Sequence, residues 1–198
     1  MGAAVCRLCV RSRTEMYRDD GRSGEFGWFA HIPVDYFVDR KGREHIFRFA
    51  GERDFEKIMM MYERYEPKRG IMGVPPENPI RLEAWVRHFF EDGITNLVVM
   101  DPDDTIVGHA SILPITEEVA EYFMALLPVD QSAGIGGMLA VIVLETARYL
   151  SIRRLWICVE KTNIRALHLH QKLGFVLKEG RWGWDYEMIY EVGRPAIS

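Results

Sequence analysis

The sequence predicts a mixed α/β fold, in which helices flank both faces of one β-sheet. Three observations predict it: short apolar runs typical of strands, amphipathic segments with helical spacing, and turn-forming residues between them. In chain order the predicted elements are β-α-α-β-β-β-α-β-α-β-β, an alternation that indicates a mixed sheet flanked by helices. With 198 residues and a hydrophobic fraction of 48%, the chain can fill a core of ordinary size.

The N-terminal segment differs from the rest of the chain. Residues 1–34 show no steady hydrophobic periodicity, so we interpret residues 1–43 as a flexible or loosely docked arm and residues 44–198 as the compact domain. Residues 35–38 and 45–50 alternate in character around a polar turn, which suits a β-hairpin at this junction.

Two helices are predicted next. Residues 54–66 carry apolar side chains at helical spacing, with Asp54 as the candidate N-cap. Asn78-Pro79 predicts the start of the second helix, because Asn caps a helix and Pro suits its first turn. Gly93 is the predicted stop of that helix.

The remaining elements follow closely. Apolar runs at residues 95–100 and 105–113 predict two strands, joined by a turn of Asp and Pro residues. Residues 121–127 predict a third strand, ended by Pro128. The rest of the chain predicts a helix at 134–150, a strand at 155–159, a helix at 163–173, and strands at 175–178 and 185–191.

Composition narrows the classes of function. The formal net charge is −4, which favours cationic substrates such as amines over nucleic acid, because nucleic acid selects a concentrated basic surface. The three cysteines, Cys6, Cys9 and Cys158, are too few for a disulfide framework and argue for a reducing compartment. Cys6 and Cys9 lack the second pair of ligands that a zinc site requires, so we expect no metal.

No part of the sequence predicts a membrane partner. The longest apolar stretch, around residues 138–144, is far shorter than the roughly 20 residues of a membrane span. The first 14 residues contain no sustained apolar region of the kind that a secretory signal needs. We therefore expect a cytoplasmic protein.

The most informative stretch runs from Gln131 to Met138, between a predicted strand and a predicted helix. Its glycines let backbone N–H groups turn inward, and the helix start adds unpaired donors and a partial positive charge. Such a turn suits a pyrophosphate. Alternatively, the glycines only permit the helix to approach the sheet closely, and the turn by itself does not separate the two interpretations.

Two common phosphate-binding motifs do not fit this turn. A P-loop requires Gly-Lys-Ser/Thr, whereas Gly136 is followed by Gly137 and Met138. A dinucleotide-binding turn requires a third glycine where this chain has Leu139, and it belongs after the first strand of its domain. Glu160 does lie about where such a fold places its ribose-binding acid, and we rank a dinucleotide-binding enzyme third among the hypotheses.

Two segments together resemble the GNAT superfamily of N-acetyltransferases. The acyl-CoA motif of that family, Gln/Arg-x-x-Gly-x-Gly/Ala after the fourth strand, is matched by Gln131-Ser132-Ala133-Gly134-Ile135-Gly136. Its second signature, an Asn followed by an Ala and a Lys-x-Gly-Phe ending, is matched by Asn163, Ala166 and Lys172-Leu173-Gly174-Phe175. The resemblance covers residue 44 to the C-terminus and implies a GNAT-like twisted mixed sheet, with acetyl-CoA as the cosubstrate.

The resemblance also implies where the acyl donor binds. The strand that ends near Leu127 would part from the strand at 155–159, and the pantetheine arm would enter between them. A backbone N–H near Leu126 or Leu127 would polarise the thioester carbonyl. Ser132 and Ala133 stand where many relatives carry Arg or Lys, so backbone dipoles would hold the diphosphate. The implied binding residues are Met124, Ala125, Leu126, Leu127, Gln131, Ser132, Ala133, Gly134, Ile135, Gly136, Gly137, Met138, Asn163 and Ala166.

The resemblance further implies two catalytic residues. An amine arrives protonated, so a base must take a proton before attack. The candidate is Glu121 at the start of the cofactor strand, with Glu117 and Glu118 as substitutes and a solvent-facing strand residue as the alternative. The CoA thiolate then needs a proton, and His170 stands where many relatives carry a Tyr. His170 is either this acid or a packing residue.

The sequence does not name the amine acceptor, which is either a small molecule or a protein. We expect the acceptor pocket at residues 69–76 and at the hairpin around 181–184. His109 is interpreted as a core histidine, with the acceptor cleft as the alternative. A non-catalytic acyl-CoA-binding or sensing module on the same fold is the rival function, and a homodimer is possible. Aromatic residues that either shape the pocket or pack in strands or at a dimer contact are Trp182, Trp184, Tyr186 and Tyr190.

Overall fold

The computed structural model describes residues 36–66, 75–178 and 185–193. The predictions for residues 1–34, the loop at 69–74 and the hairpin at 181–184 concern residues outside these ranges. Cys6, Cys9, Trp182 and Trp184 belong to those segments.

Eight strands of the described residues form a single sheet. In chain order they are β1 (Tyr36–Val38), β2 (Glu44–Phe49), β3 (Thr95–Met100), β4 (Ile106–Pro114), β5 (Val119–Leu126), β6 (Arg154–Glu160), β7 (Val176–Leu177) and β8 (Asp185–Glu191). Their order in the sheet is β1-β2-β3-β4-β5-β6-β8-β7. Every neighbouring pair is antiparallel except β5 and β6, which run parallel. The predicted mixed sheet is confirmed.

Four α-helices flank this sheet. They are α1 (Phe55–Glu63), α2 (Pro79–Glu91), α3 (Ile135–Tyr149) and α4 (Ile164–Lys172). Phe123 of β5 packs against Trp85 of α2, while the adjacent Tyr122 packs against His170 of α4. Because successive side chains of a strand point to opposite faces, α2 and α4 cover opposite faces of the sheet. The helix α1 lies with α2 and α3 lies with α4, so both faces are covered as predicted.

The predicted helix boundaries have local causes. The side chain of Asn78 accepts a hydrogen bond from the backbone N–H of Arg81 at 3.1 Å, and Pro79 is the first residue of α2. A Cβ on Gly93 would lie 2.2 Å from the carbonyl oxygen of Phe89, so the chain can pass the end of α2 only with glycine at this position.

Asp54 is the N-cap residue of α1 as predicted, but its side chain does not cap the helix. Its side chain makes no capping hydrogen bond to α1, because both carboxylate oxygens are held by Arg48 at 2.7 Å. One of those oxygens also accepts from the N–H of Gly51 at 3.0 Å. Asp54 therefore ties α1 to β2 instead of capping the helix.

The predicted β-hairpin is present, with β1 and β2 joined by a turn at residues 39–43. Asp39 is buried below this turn and accepts hydrogen bonds from Arg43 Nε at 2.8 Å and from two backbone N–H groups. Burial alone would raise the pKa of Asp39, but these bonds and a contact with His45 hold the pKa well below its usual value. Tyr36–Val38 thus belong to the sheet and residues 39–43 form the turn to β2, while the domain boundary at residue 44 stays a prediction.

His109 is a core residue of β4. Its side chain is fully buried, with Nδ1 2.6 Å from the Tyr62 hydroxyl and Nε2 3.0 Å from Asn96 Oδ1. Burial lowers the pKa of His109 to about 3, so the ring is neutral and bridges α1 and β3. The alternative, that His109 lines an acceptor cleft, is not supported.

Candidate functional site

The two parallel strands of the sheet part along their length. β5 and β6 pair only at Val119 with Arg154, Ala120 with Leu155 and Glu121 with Trp156. Beyond Glu121, β5 pairs only with β4, and the rest of β6 pairs only with β8. Among the described residues, the facing backbone edges have no strand partner and can hydrogen-bond an extended ligand between them.

The register of β5 shows which backbone N–H groups point into this opening. The N–H of Leu127 donates to the carbonyl of Val107 at 2.9 Å, on the β4 side. Since hydrogen-bonding groups of an antiparallel strand alternate in direction, the N–H of Ala125 also points to β4. Those of Met124 and Leu126 point towards β6. Of the two candidates for polarising a carbonyl, the geometry favours Leu126 over Leu127.

Gln131 holds the end of β5 in place. Its side-chain amide donates to the carbonyl of Leu126 at 3.0 Å. This bond satisfies the Leu126 carbonyl and leaves the N–H of the same residue available in the opening.

The glycine turn ends at the start of α3. Ser132 and Gly134 both have positive φ, 65° and 96°, and Gly134 is the N-cap of the helix. The N–H of Met138 donates to the carbonyl of Gly134 at 3.2 Å and begins the helical ladder. Within the described part of the chain, the first-turn N–H groups of Ile135, Gly136 and Gly137 have no acceptor, as expected at a helix start.

Packing does not require glycine at positions 136 and 137. A Cβ on either residue would meet nothing closer than 3.9 Å, which is ordinary van der Waals contact with Leu169 or Met124. At Gly108, by contrast, a Cβ would lie 2.9 Å from Leu126. Of the two interpretations of the turn, the structure favours an open anion site over close packing.

Glu121 lies where β5 and β6 separate. It is the third residue of β5 and not its start as predicted, because Val119 and Ala120 already pair with β6. The side chain is half-buried on the face that α2 covers. Burial raises the pKa of Glu121, and a smaller Coulombic effect of His88 on α2 opposes that rise.

The two substitute bases have a different environment. Glu117 and Glu118 are exposed in the turn before β5, and Glu118 forms an ion pair with Arg153 at 2.9 Å. Neither side chain is buried beside the opening between β5 and β6. Of the three acids, Glu121 best fits the role of the base.

His170 is buried on the opposite face of the sheet. It is 4% exposed, and its Nδ1 lies 2.8 Å from the carbonyl of Ala166, which fixes Nδ1 as the protonated nitrogen. Its Nε2 is buried and has no partner among the described residues. Burial lowers the pKa of His170, against a smaller opposing effect of the Ala166 carbonyl. The ring is therefore neutral, with a bare Nε2.

Asn163 and Ala166 have a structural role in this arrangement. The Asn163 side chain accepts from the N–H of Ala166 at 3.1 Å and caps α4. The second sequence signature thus fixes the start of the helix that carries His170.

Two residues that the sequence analysis did not single out border the site. Tyr122 lies next to Glu121 but on the α4 face, and its hydroxyl donates to Met124 Sδ at 3.1 Å. Strand alternation could have indicated its side of the sheet. Arg40 lies 3.7 Å (Nε) from the position of a Cβ on Gly134, and no local sequence signal connects two residues so far apart.

The described residues contain neither a metal-binding cluster nor a membrane helix. No group of three or more His, Cys, Asp or Glu side chains within residues 36–66, 75–178 and 185–193 is placed to hold a metal ion. No helix in the same ranges is long and apolar enough to cross a membrane.

Comparison with known proteins agrees with this geometry. Residues 55–175, more than half of the chain, match the sequence model described as Acetyltransferase (GNAT) family. This match, together with the fold, indicates a protein of the acyl-transfer class. The chain belongs to the GNAT acetyltransferase family. No curated protein sequence matches it significantly.

Several solved structures share the fold. The GNAT domain of S. lividans PAT has a TM-score of 0.67 and 19% identity, covering 79% of this chain and 95% of that one. The putative acetyltransferase yncA from Salmonella typhimurium, solved with its cofactor acetyl-CoA, has a TM-score of 0.61 and 21% identity, with 78% and 97% covered. A variant of the spermidine N-acetyltransferase SpeG from Vibrio cholerae has a TM-score of 0.57 and 20% identity, with 74% and 93% covered.

Proposed function

We propose that this chain transfers an acetyl group from acetyl-CoA to a primary amine of a small molecule or protein, by direct attack in a ternary complex. The observation that carries the proposal is the position of the glycine turn. A short 3-10 turn at Pro128–Asp130 joins this turn to β5, the strand that parts from β6, and the turn ends at the N–H groups of the first turn of α3, which have no acceptor among the described residues. A phosphate-bearing thioester can thus be held at one end by the helix start and along its length by a strand edge.

The backbone would bind and polarise the donor. The first-turn N–H groups of Ile135, Gly136 and Gly137 would bind the diphosphate. The N–H groups of Met124 and Leu126, which point towards β6, would bind the pantetheine and the thioester carbonyl. A hydrogen-bond donor that is already in place where negative charge develops in the transition state lowers the activation barrier, because the protein does not have to reorganise during the reaction.

Glu121 would act as the base. An alkyl ammonium has a pKa near 10, so the amine must lose a proton before it attacks. A carboxylate whose pKa is raised by burial is a better proton acceptor than an exposed one. The Coulombic effect of His88 on α2 partly opposes this rise in the pKa of Glu121.

His170 would move the second proton. Its bare Nε2 can accept a proton from the attacking nitrogen after the C–N bond forms, so that an N–H bond breaks and an Nε2–H bond forms. The same proton then passes to the sulfur as the C–S bond breaks, which returns His170 to its neutral state. A neutral histidine suits this shuttle, because it begins without the proton that it must carry.

A covalent route through cysteine is not supported by the described residues. Burial, together with the charges of Asp185, Glu187 and Glu121, raises the pKa of the Cys158 thiol to about 11. The reactive thiolate is therefore scarce at neutral pH. Direct transfer needs no such nucleophile.

A turnover assay tests the proposed function. Acetyl-CoA is incubated with the protein and a panel of amines, and free CoA thiol is measured; the likeness to SpeG puts spermidine in the panel beside amino acids and a lysine peptide. We expect CoA release above buffer background with at least one amine. Binding of acetyl-CoA without turnover of any amine would instead favour the acyl-CoA-sensing module. A rise in melting temperature with NAD and not with CoA would favour a dinucleotide enzyme.

Replacing His170 with Phe is expected to lower kcat about 100-fold, at the low end of the contribution of a positioned proton-transfer group. Phe keeps the ring contacts with Tyr122 and Phe175 but removes both nitrogens. The Kd of acetyl-CoA, measured by calorimetry, should change little, since the residue acts after binding. An unchanged kcat would make His170 a packing residue.

A further inference from the structure

The hairpin turn between β1 and β2 is fastened to the glycine turn by three contacts. The N–H of Arg40 donates to the carbonyl of Ala133 at 3.0 Å, and Arg43 Nη1 lies 2.6 Å from Asp130 Oδ1. Lys41 Nζ donates to the carbonyl of Val129 at 3.3 Å. A segment distant in sequence thus forms one wall of the proposed phosphate site.

The three cationic side chains of this turn differ in their hydrogen-bond and ion-pair partners. Arg43 is held by the carboxylates of Asp39 and Asp130, and Lys41 by the Val129 carbonyl. The guanidinium of Arg40 is exposed and has no carboxylate partner in the described ranges. Arg40 is therefore the cation of the turn that is free to bind a ligand.

The position of Arg40 is electrostatically unfavourable without an anion. Its Nε lies 3.7 Å and its Cγ 3.9 Å from the position of a Cβ on Gly134, the N-cap of α3. The start of a helix carries about half a positive charge, which repels a cation placed beside it. An anion bound between the helix start and the guanidinium would be stabilised by both.

We infer that Arg40 binds a phosphate group of acetyl-CoA and supplies the cation that Ser132 and Ala133 do not provide. The inference rests on the proposed function and adds a residue to its donor site. A guanidinium is suited to this role because its planar fork can donate two parallel hydrogen bonds to one phosphate. The matched family region begins at residue 55, so Arg40 lies outside it.

The contacts of Asp39 and Arg43 explain how the turn is held ready. Asp39 is buried and accepts from the backbone N–H groups of Lys41 and Arg43, which fixes the path of the chain around Arg40. Arg43 then ties this turn to Asp130, just before the glycine turn. Little ordering of the backbone is left to occur when the ligand binds.

The test is calorimetric binding of CoA and of 3′-dephospho-CoA to the parent protein, to Arg40→Gln and to Arg153→Gln. Arg153 is an exposed arginine on the loop before β6, paired with Glu118, and it controls for the loss of one positive charge. We expect Arg40→Gln to weaken CoA binding about tenfold, the size of one charge-assisted hydrogen bond. Arg153→Gln should bind CoA as the parent does.

The second ligand identifies the phosphate. If Arg40→Gln weakens both ligands equally, Arg40 binds the diphosphate; if it weakens CoA alone, Arg40 binds the 3′-phosphate. Parent-like CoA binding by Arg40→Gln, or an equal loss in Arg153→Gln, would overturn the inference while leaving the proposed function intact. A parent protein that binds no CoA at all would instead refute the proposed function. Melting temperatures of the three proteins verify that each variant is folded.

Discussion

Gly136→Glu is expected to weaken acetyl-CoA binding on the order of 100-fold, because juxtaposed like charges cost several kcal/mol. The new side chain would start beside Met124 and Leu169, where the glycine turn meets the opening between β5 and β6. Its carboxylate would then occupy the helix start in place of the diphosphate. The fold should not suffer, since an acidic residue in the first turn interacts favourably with the helix dipole.

Gly136→Ala is the matched control for this variant. Its Cβ would meet nothing closer than 3.9 Å, so it should bind acetyl-CoA nearly as the parent does. It should also raise the stability of α3, by up to about 1 kcal/mol, because alanine favours the helix more than glycine. Calorimetry gives both Kd values and thermal melting the stabilities. Parent-like binding by Gly136→Glu would place the phosphates elsewhere.

Glu121→Gln is expected to lower kcat on the order of 100-fold, within the usual contribution of a general base. The amide has the shape of the carboxylate but cannot take the ammonium proton. Acetyl-CoA binding should stay near the parent value, because the donor contacts come from the backbone of β5 and the glycine turn. Glu118→Gln, at an exposed residue paired with Arg153, is the control and should keep the parent kcat.

The pH dependence gives Glu121 a specific signature. A base must be ionised, so kcat/KM falls as the pH falls through the pKa of Glu121. Because burial raises the pKa of Glu121, this fall should occur at higher pH than for an exposed glutamate. His88→Ala removes the Coulombic effect that lowers the pKa of Glu121, so the fall should move to still higher pH. A pH profile that is the same in Glu121→Gln would exclude this residue as the base.

Much of the fold could be predicted because its signals are local. Asn78-Pro79 and Asn163 begin helices by hydrogen bonds within one turn of themselves, so neighbouring residues suffice to identify them. Strand alternation likewise depends only on adjacent residues. The position of Asp54 at the start of α1 was predicted, but the loss of its side-chain capping bond was not, because Arg48 of the preceding strand occupies its carboxylate.

The site could be predicted in position but not in detail. Gly134, Gly136 and Gly137 indicated the position of the turn. Which backbone N–H polarises the thioester carbonyl, that of Leu126 or that of Leu127, depends on the pairing of β5 with β4. The state of His170 depends on the carbonyl of Ala166 and on burial by the sheet. Arg40 reaches the turn only through tertiary contacts, and these have no counterpart in local sequence.

The gap between β5 and β6 runs through the sheet, with Glu121 facing one side and the glycine turn and His170 the other. The acyl donor and the amine acceptor would thus approach the gap from opposite faces of the sheet. Substitutions on the face covered by α1 and α2 could adapt the protein to a new amine without changing the residues that bind acetyl-CoA. An architecture of this kind lets substrate range diversify in evolution without rebuilding the chemistry.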